Sequence, residues 1–278
     1  MNESLTESAR DFIRAAAGGL VIGLPLLYTM EVWWHGFILP PWKVLLLLGV
    51  AYLIVIAFNA ISGFRRERTF TELIVDSTAA LGLGVVIAFV ALLVLGQIDG
   101  STSLRDAAGK VGLEAIPIAF GASLAATELG GDESGGRSGT GPFERVLVGA
   151  GGALLFALNL APTEELVMLG IVASPGLLIV VVGATLLLTL ALVFYADFGG
   201  RKRVKGDGPL EHPWSETLAA YAVSLGVALL LLWAFGRTDD ASGQSVAGMT
   251  VMLAVMASVG AAIARLLVGG HDEAGQDK

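Results

Sequence analysis

LVMLGIVASPGLLIVVVGATLLLTLALVFYA, from Leu166 to Ala196, contains no Asp, Glu, Lys, Arg or His. A helix rises about 1.5 Å per residue, so roughly 20 apolar residues cross a hydrocarbon core about 30 Å thick. Four more stretches meet the same requirement: Val44 to Phe64, Ser77 to Ile98, Thr217 to Gly236 and Ala241 to Ala264. The whole chain agrees with them. Of its 278 residues 55% are hydrophobic and 15% charged, and its mean hydropathy is +0.76. Ordinary globular domains carry about 25% charged residues. The chain therefore reads as an all-α polytopic membrane protein, with the lipid bilayer as its first partner.

Three weaker segments complete the set. Ala15 to Met30 continues through Glu31 into Val32-Trp33-Trp34, Val146 to Thr163 is charge-free, and Ala115 to Thr127 reaches span length only if it begins near Val111. Eight transmembrane helices are expected, at about 15–34, 41–63, 73–96, 111–128, 146–164, 173–196, 214–236 and 245–267. The alternative is seven plus a re-entrant helix, with the short fourth segment as the exception. The Gly-, Ser- and acid-rich stretch 131–143 reads as a flexible linker between a first half, 1–130, and a second, 144–270; residues 271–278 form a polar tail.

Basic residues set orientation, because cytoplasmic loops are enriched in Lys and Arg. With the N-terminus inside, the inner side receives Arg10, Arg14, Arg65, Arg66, Arg68, Arg137, Arg145, Arg201, Lys202, Arg203, Lys205, Arg265 and Lys278, against Lys43, Arg105, Lys110 and Arg237 outside. The expected place is the inner cell membrane, with both termini cytoplasmic. A net charge of −8 argues against nucleic acid. The absence of cysteine removes disulfides, thiolate metal sites and a cysteine nucleophile. No metal or cofactor is expected.

An internal repeat is visible. Pro41, Gly49, Leu53, Ala57 and Phe64 match Pro175, Gly183, Leu187, Ala191 and Phe198 at a constant offset of 134. One span earlier Gly18, Gly19 and Glu31 match Gly151, Gly152 and Glu164 at 133, and one span later Glu72 with Leu81-Gly82 matches Glu216 with Leu225-Gly226 at 144. Two four-helix halves repeated in parallel are expected, an arrangement that some transporters use with their sites at the repeat interface.

Acids at membrane depth are costly, and each is a functional candidate by default. Glu31 and Glu164 occupy matching span ends, with Glu165 beside the second. Pro162 is expected to kink its helix and leave a carbonyl near these carboxylates, an oxygen cluster suited to a hard cation. Asp76 lies one turn beyond Glu72 and deeper in its span. Glu72 and Glu216 suit the first turn of a helix. Glu114 follows Lys110 by four residues and is expected to form an i, i+4 ion pair. Asn59 and Asn159 suit interhelical hydrogen bonds. The five tryptophans suit interfacial anchors.

No H-E-x-x-H, G-x-S-x-G, P-loop or dinucleotide-binding pattern is present, so an enzyme has no motif behind it. GLPLLYTMEVWWHGF (Gly23 to Phe37), GLEAIPIAFGASLA (Gly112 to Ala125) and NLAPTEELVML (Asn159 to Leu169) resemble a family of prokaryotic integral membrane proteins of unknown function. The resemblance implies a polytopic inner-membrane protein and brings no catalytic residue or cofactor. The leading expectation is a small transporter or channel for a cation or proton, served by Glu31, Glu164, Glu165 and Asp76. The alternative is a membrane scaffold or sensor that docks partners through Arg65, Arg66 and Arg68 and through Arg201, Lys202, Arg203 and Lys205; a homo-oligomer is compatible with either.

Overall fold

The computed structural model describes residues 2–62, 69–128, 142–198 and 212–268. Among these it contains ten α-helices and no strand: α1 (Asn2–Thr29), α2 (Glu31–Ile38), α3 (Pro41–Ser62), α4 (Phe70–Val94), α5 (Leu104–Glu128), α6 (Pro142–Leu160), α7 (Glu164–Val172), α8 (Pro175–Phe198), α9 (Pro213–Ala234) and α10 (Gly243–Val268). The chain divides into two compact units, Met1–Asp132 and Glu133–Lys278. The linker expected at 131–143 and the polar tail at 271–278 fall almost wholly outside the described residues.

Seven helices are long and apolar enough to cross a membrane, and α6 with α7 makes an eighth if their 95° bend is one broken span. Three details differ from the sequence reading. The fourth segment is no re-entrant piece, for α5 is a continuous helix of 25 residues; its charged Lys110 and Glu114 had hidden its length. The first and fifth spans do not run unbroken to Trp34 and Glu164. Met30 turns into the left-handed region (φ 54°) between α1 and α2, and Ala161 to Thr163 separate α6 from α7. Hydropathy registers neither break, because beyond the acids that open α2 and α7 the helices on both sides are apolar.

In each unit the last helix is the centre. α5 packs against α1, α2, α3 and α4, while α10 packs against α6, α7, α8 and α9. Every residue of α5 from Val111 to Ser123 is buried. Without aqueous surroundings to drive association, helices in lipid gain from close backbone approach at small residues, and glycines mark these seams. A Cβ on Gly18 would strike Ala125 and the Gly121 carbonyl, and one on Gly36 would strike the backbone of Gly109 and Lys110. In the second unit Gly152 meets Gly260 and Ala264, and Gly248 meets the backbone of Gly170.

The connections into the central helices are also alike. Gly96 (φ 68°) ends α4 in a Schellman arrangement, with the N–H of Gln97 on the Leu92 carbonyl at 2.8 Å and that of Gly96 on Leu93 at 3.0 Å. Gly236 (φ 73°) ends α9 the same way, with Arg237 on Leu232 at 2.8 Å and Gly236 on Trp233 at 3.1 Å. Ser103 then caps α5 by accepting from the Asp106 N–H at 3.1 Å, and Ser242 caps α10 by accepting from Ser245 at 3.2 Å.

Several of these features recur at near-constant spacing. Gly18 and Gly152, Thr29 and Thr163, and Gly36 and Gly170 stand 134 apart; each threonine Oγ1 donates to the carbonyl three residues back, Leu26 or Leu160, at 2.9 Å. Gly96 and Gly236 stand 140 apart, and Gly109 and Gly248 stand 139 apart. At these spacings Glu165 stands 134 residues after Glu31, and Asp76 stands 140 residues before Glu216. Apolar sequences rich in Gly, Ala and Leu slip by a few residues without penalty, whereas backbone contacts do not.

Candidate functional site

Glu114 lies midway along α5 and is completely buried, and neither carboxylate oxygen has a protein hydrogen-bond partner. The α5 surface around it is fully used: Ile118 and Gly121 face α1, Gly109 faces α2, Gly112 faces Val44 and Leu48 of α3, and Ala115 and Ala119 face Gly84 of α4. The expected ion pair with Lys110 is not formed. Lys110 Nζ instead donates to the Gln97 carbonyl at 2.8 Å and lies 5.5 Å from the Trp33 ring centre and 5.8 Å from that of Phe37. The end of α4 offers a bare carbonyl and α2 offers two ring faces, and these hold the ammonium one turn away from the acid.

The backbone beside Glu114 is also altered. Pro117 lies inside α5 and has no N–H to give to the Leu113 carbonyl, so the ladder lacks a rung there. In α10, 139 residues further on than Lys110, Glu114 and Pro117, stand Met249, Leu253 and Met256. Met249 and Leu253 are buried. In α10 the largely buried charge lies elsewhere, at Arg265 in the last turn, which pairs with Glu216.

Glu31 opens α2 directly after the Met30 break, and its Oε2 is buried without a partner. Trp33 is core rather than interfacial anchor: it is 4% exposed and its indole N–H donates to the Leu27 carbonyl across the break at 2.9 Å.

In the second unit a guanidinium lies between the Pro162 carbonyl and the Glu164 carboxylate. Arg237 donates through Nη1 to Glu164 Oε1 at 2.7 Å and through Nη2 to the Pro162 carbonyl. Glu165, next to Glu164, is exposed. Arg237 directly follows Gly236 as Gln97 follows Gly96. The sequence reading missed Arg237 because it lies 73 residues from Glu164; the conspicuous signal was a basic residue just past an apolar span.

The remaining candidates have structural surroundings. Glu72 completes a capping box with Thr69, accepting from the Thr69 N–H at 3.0 Å. Asp76, one turn on, is half-buried. Glu216 pairs with Arg265 at 2.5 Å, both side chains being largely buried. Asn59 joins three helices, donating to Ser77 Oγ at 3.0 Å and accepting from Ser123 Oγ at 2.5 Å. Asn159 is exposed. The basic clusters Arg65, Arg66, Arg68 and Arg201, Lys202, Arg203, Lys205 lie outside the described residues.

Asp99, in the loop before α5, accepts from the Ser101 hydroxyl at 2.6 Å, its N–H at 2.9 Å and the Thr102 hydroxyl at 3.0 Å. The Ser101 hydroxyl above all, with these other donors, holds its carboxyl down at about 2, below the ordinary 3.8.

Residues 11–268 match the model of a family described as "Putative integral membrane protein (DUF2391)". The chain belongs to this family. That description names a place, the membrane, and no activity. No curated protein and no solved structure matches the chain.

Proposed function

We propose that this protein carries protons across the membrane, that Glu114 is the proton-binding group, and that Glu31 serves it nearer the membrane surface. The single observation behind this reading is the completely buried Glu114 carboxyl, both oxygens without a protein partner. An ionised carboxylate in such a place needs a countercharge or a proton, and intramembrane acids of this kind mark ion and proton routes. The lone carboxyl favours a proton over a metal ion. Hard cations take six or more oxygens, and among the described residues no three His, Cys, Asp or Glu side chains gather around one point.

We further propose that the two units descend from one duplicated unit, and that only the first kept, or gained, a lysine and a glutamate midway along its central helix. The matching Schellman ends, serine caps and glycine seams support this. Both termini are placed on the cytoplasmic side of the inner membrane on the strength of the basic-residue count. Proteoliposomes with an internal pH dye and a controlled membrane potential test the function: wild type should pass protons, Glu114→Gln should not, and Glu164→Gln should pass them as wild type does. Absence of flux from correctly inserted wild type would overturn the proposal.

A further inference from the structure

We infer that Lys110 is the positioning partner of Glu114, and that its ammonium moves one helical turn from the Gln97 carbonyl to the Glu114 carboxylate when that carboxyl releases its proton. The inference rests on Glu114 being the proton-binding group.

Four observations carry it. Residues four apart lie on one helix face, so the lysine reaches the acid by changing rotamer alone. The present partners of Nζ are all neutral: one backbone carbonyl and the rings of Trp33 and Phe37. An ionised, fully buried carboxylate outcompetes such partners, because its desolvation is the larger cost. The order Lys then Glu is the weaker of the two i, i+4 orientations, so the pair has no strong reason to stay locked when the carboxyl is protonated. Finally, Lys110 and Glu114 differ together from the second unit, which has Met249 and Leu253 at the corresponding places.

The other charged and titratable groups are accounted for on each neighbouring helix. α1 has none between Arg14 and Tyr28, and α4 has none after Asp76. α2 brings Glu31 and His35, and α3 brings the buried Lys43 and Tyr52, whose hydroxyl is bonded to Thr78 at 2.7 Å. α5 itself adds Arg105 and Asp106 in its first turn and Glu128 as its last residue. Lys110 alone combines a place on the Glu114 face of α5 with contact to α2. Its movement would withdraw the cation from Trp33 and Phe37 and loosen the hold of α5 on the short helix that follows the Met30 break, so protonation of the acid is coupled to α2.

Infrared difference spectra of the full-length protein in lipid, recorded across a pH titration, test this. The carboxyl C=O band that is lost in Glu114→Gln belongs to Glu114. In Lys110→Met, which takes the residue found at the corresponding place in α10, the midpoint of that band should move to higher pH by about one unit or more, the effect of losing an adjacent opposite charge. Lys110→Arg should return it towards wild type, and the pH profile of proton flux should move in parallel. A midpoint in Lys110→Met equal to wild type overturns the role of Lys110 and leaves Glu114 as the proton site. Absence of any titrating band assignable to Glu114 overturns both.

Discussion

Lys110 donates to the carbonyl of Gln97 at 2.8 Å and so faces away from Glu114, the acid one turn further along the same helix. The second unit arranges its cation differently: Arg237, at the place of Gln97, reaches the Pro162 carbonyl and the Glu164 carboxylate itself. Each unit thus ties the same loop to a neighbouring element with a cation. Only in the first does a buried carboxyl remain beside it without a protein partner.

Glu114→Leu, which gives α5 the residue of α10, should raise the thermal unfolding temperature in detergent. Replacing buried ionic residues by packed apolar ones is often neutral or stabilising, by about 1–4 kcal/mol. The reverse change, Leu253→Glu, should lower it clearly, since it buries an acid without a partner. Glu114→Leu less stable than wild type would mean that the carboxyl has a structural role.

Gly109→Val and Gly248→Val should prevent close packing in their own units, because a Cβ at either place meets the backbone of the opposing glycine, Gly36 or Gly170. Losses on the order of 3 kcal/mol or more are expected from overpacking at such seams. Gly49→Ala and Gly183→Ala meet open space and should be neutral or stabilising by up to about 1 kcal/mol. Chemical denaturation of the four variants separates the two classes.

Arg237→Gln should lower stability more than Glu164→Gln does. The Glu164 side chain is 76% exposed, and exposed ion pairs contribute only about 0–1 kcal/mol. The arginine holds the Pro162 carbonyl as well, and its loss leaves that group at the α6–α7 break without its donor. Equal effects of the two variants, measured by unfolding temperature, would show that the ion pair alone carries the contact.

Much of this fold was legible in the sequence, for a definite reason. Lipid demands long apolar runs, so α3, α4, α8, α9 and α10 announce themselves. The breaks at Met30 and at Ala161 to Thr163 did not, because a change of backbone direction between apolar segments leaves hydropathy unchanged. The local signals are Pro162 and the acids that open α2 and α7. The acids were easy to find but hard to rank: Glu31 and Glu164 drew attention by recurrence, yet the partner of Glu164 lies far along the chain. At Glu114 the lysine four residues earlier makes a plain ion pair the simplest expectation. Sequence spacing says that two side chains can meet. It does not say that a carbonyl and two aromatic rings hold one of them elsewhere.

The Asp99 loop should respond to acid. Its carboxyl is held at about 2 when folded, against 3.8 for the free group. A lowered value in the folded state means that the stabilising contribution is present above about pH 4 and disappears as the pH falls towards 2. Amide exchange at Ser101 and Thr102 should accelerate, relative to neighbouring amides, over that interval in wild type. In Asp99→Ala it should be fast throughout and lack the acid step; an acid step that persists in the variant would assign it to another group.

In the proposed function Glu114 exchanges a proton with the two sides of the membrane. The most direct test compares proton flux in proteoliposomes carrying wild type, Glu114→Gln or Glu114→Asp at equal, verified insertion. Flux in wild type, weaker flux in the aspartate variant and none above empty vesicles in the glutamine variant is the predicted result. A glutamine variant that passes protons as fast as wild type would contradict it.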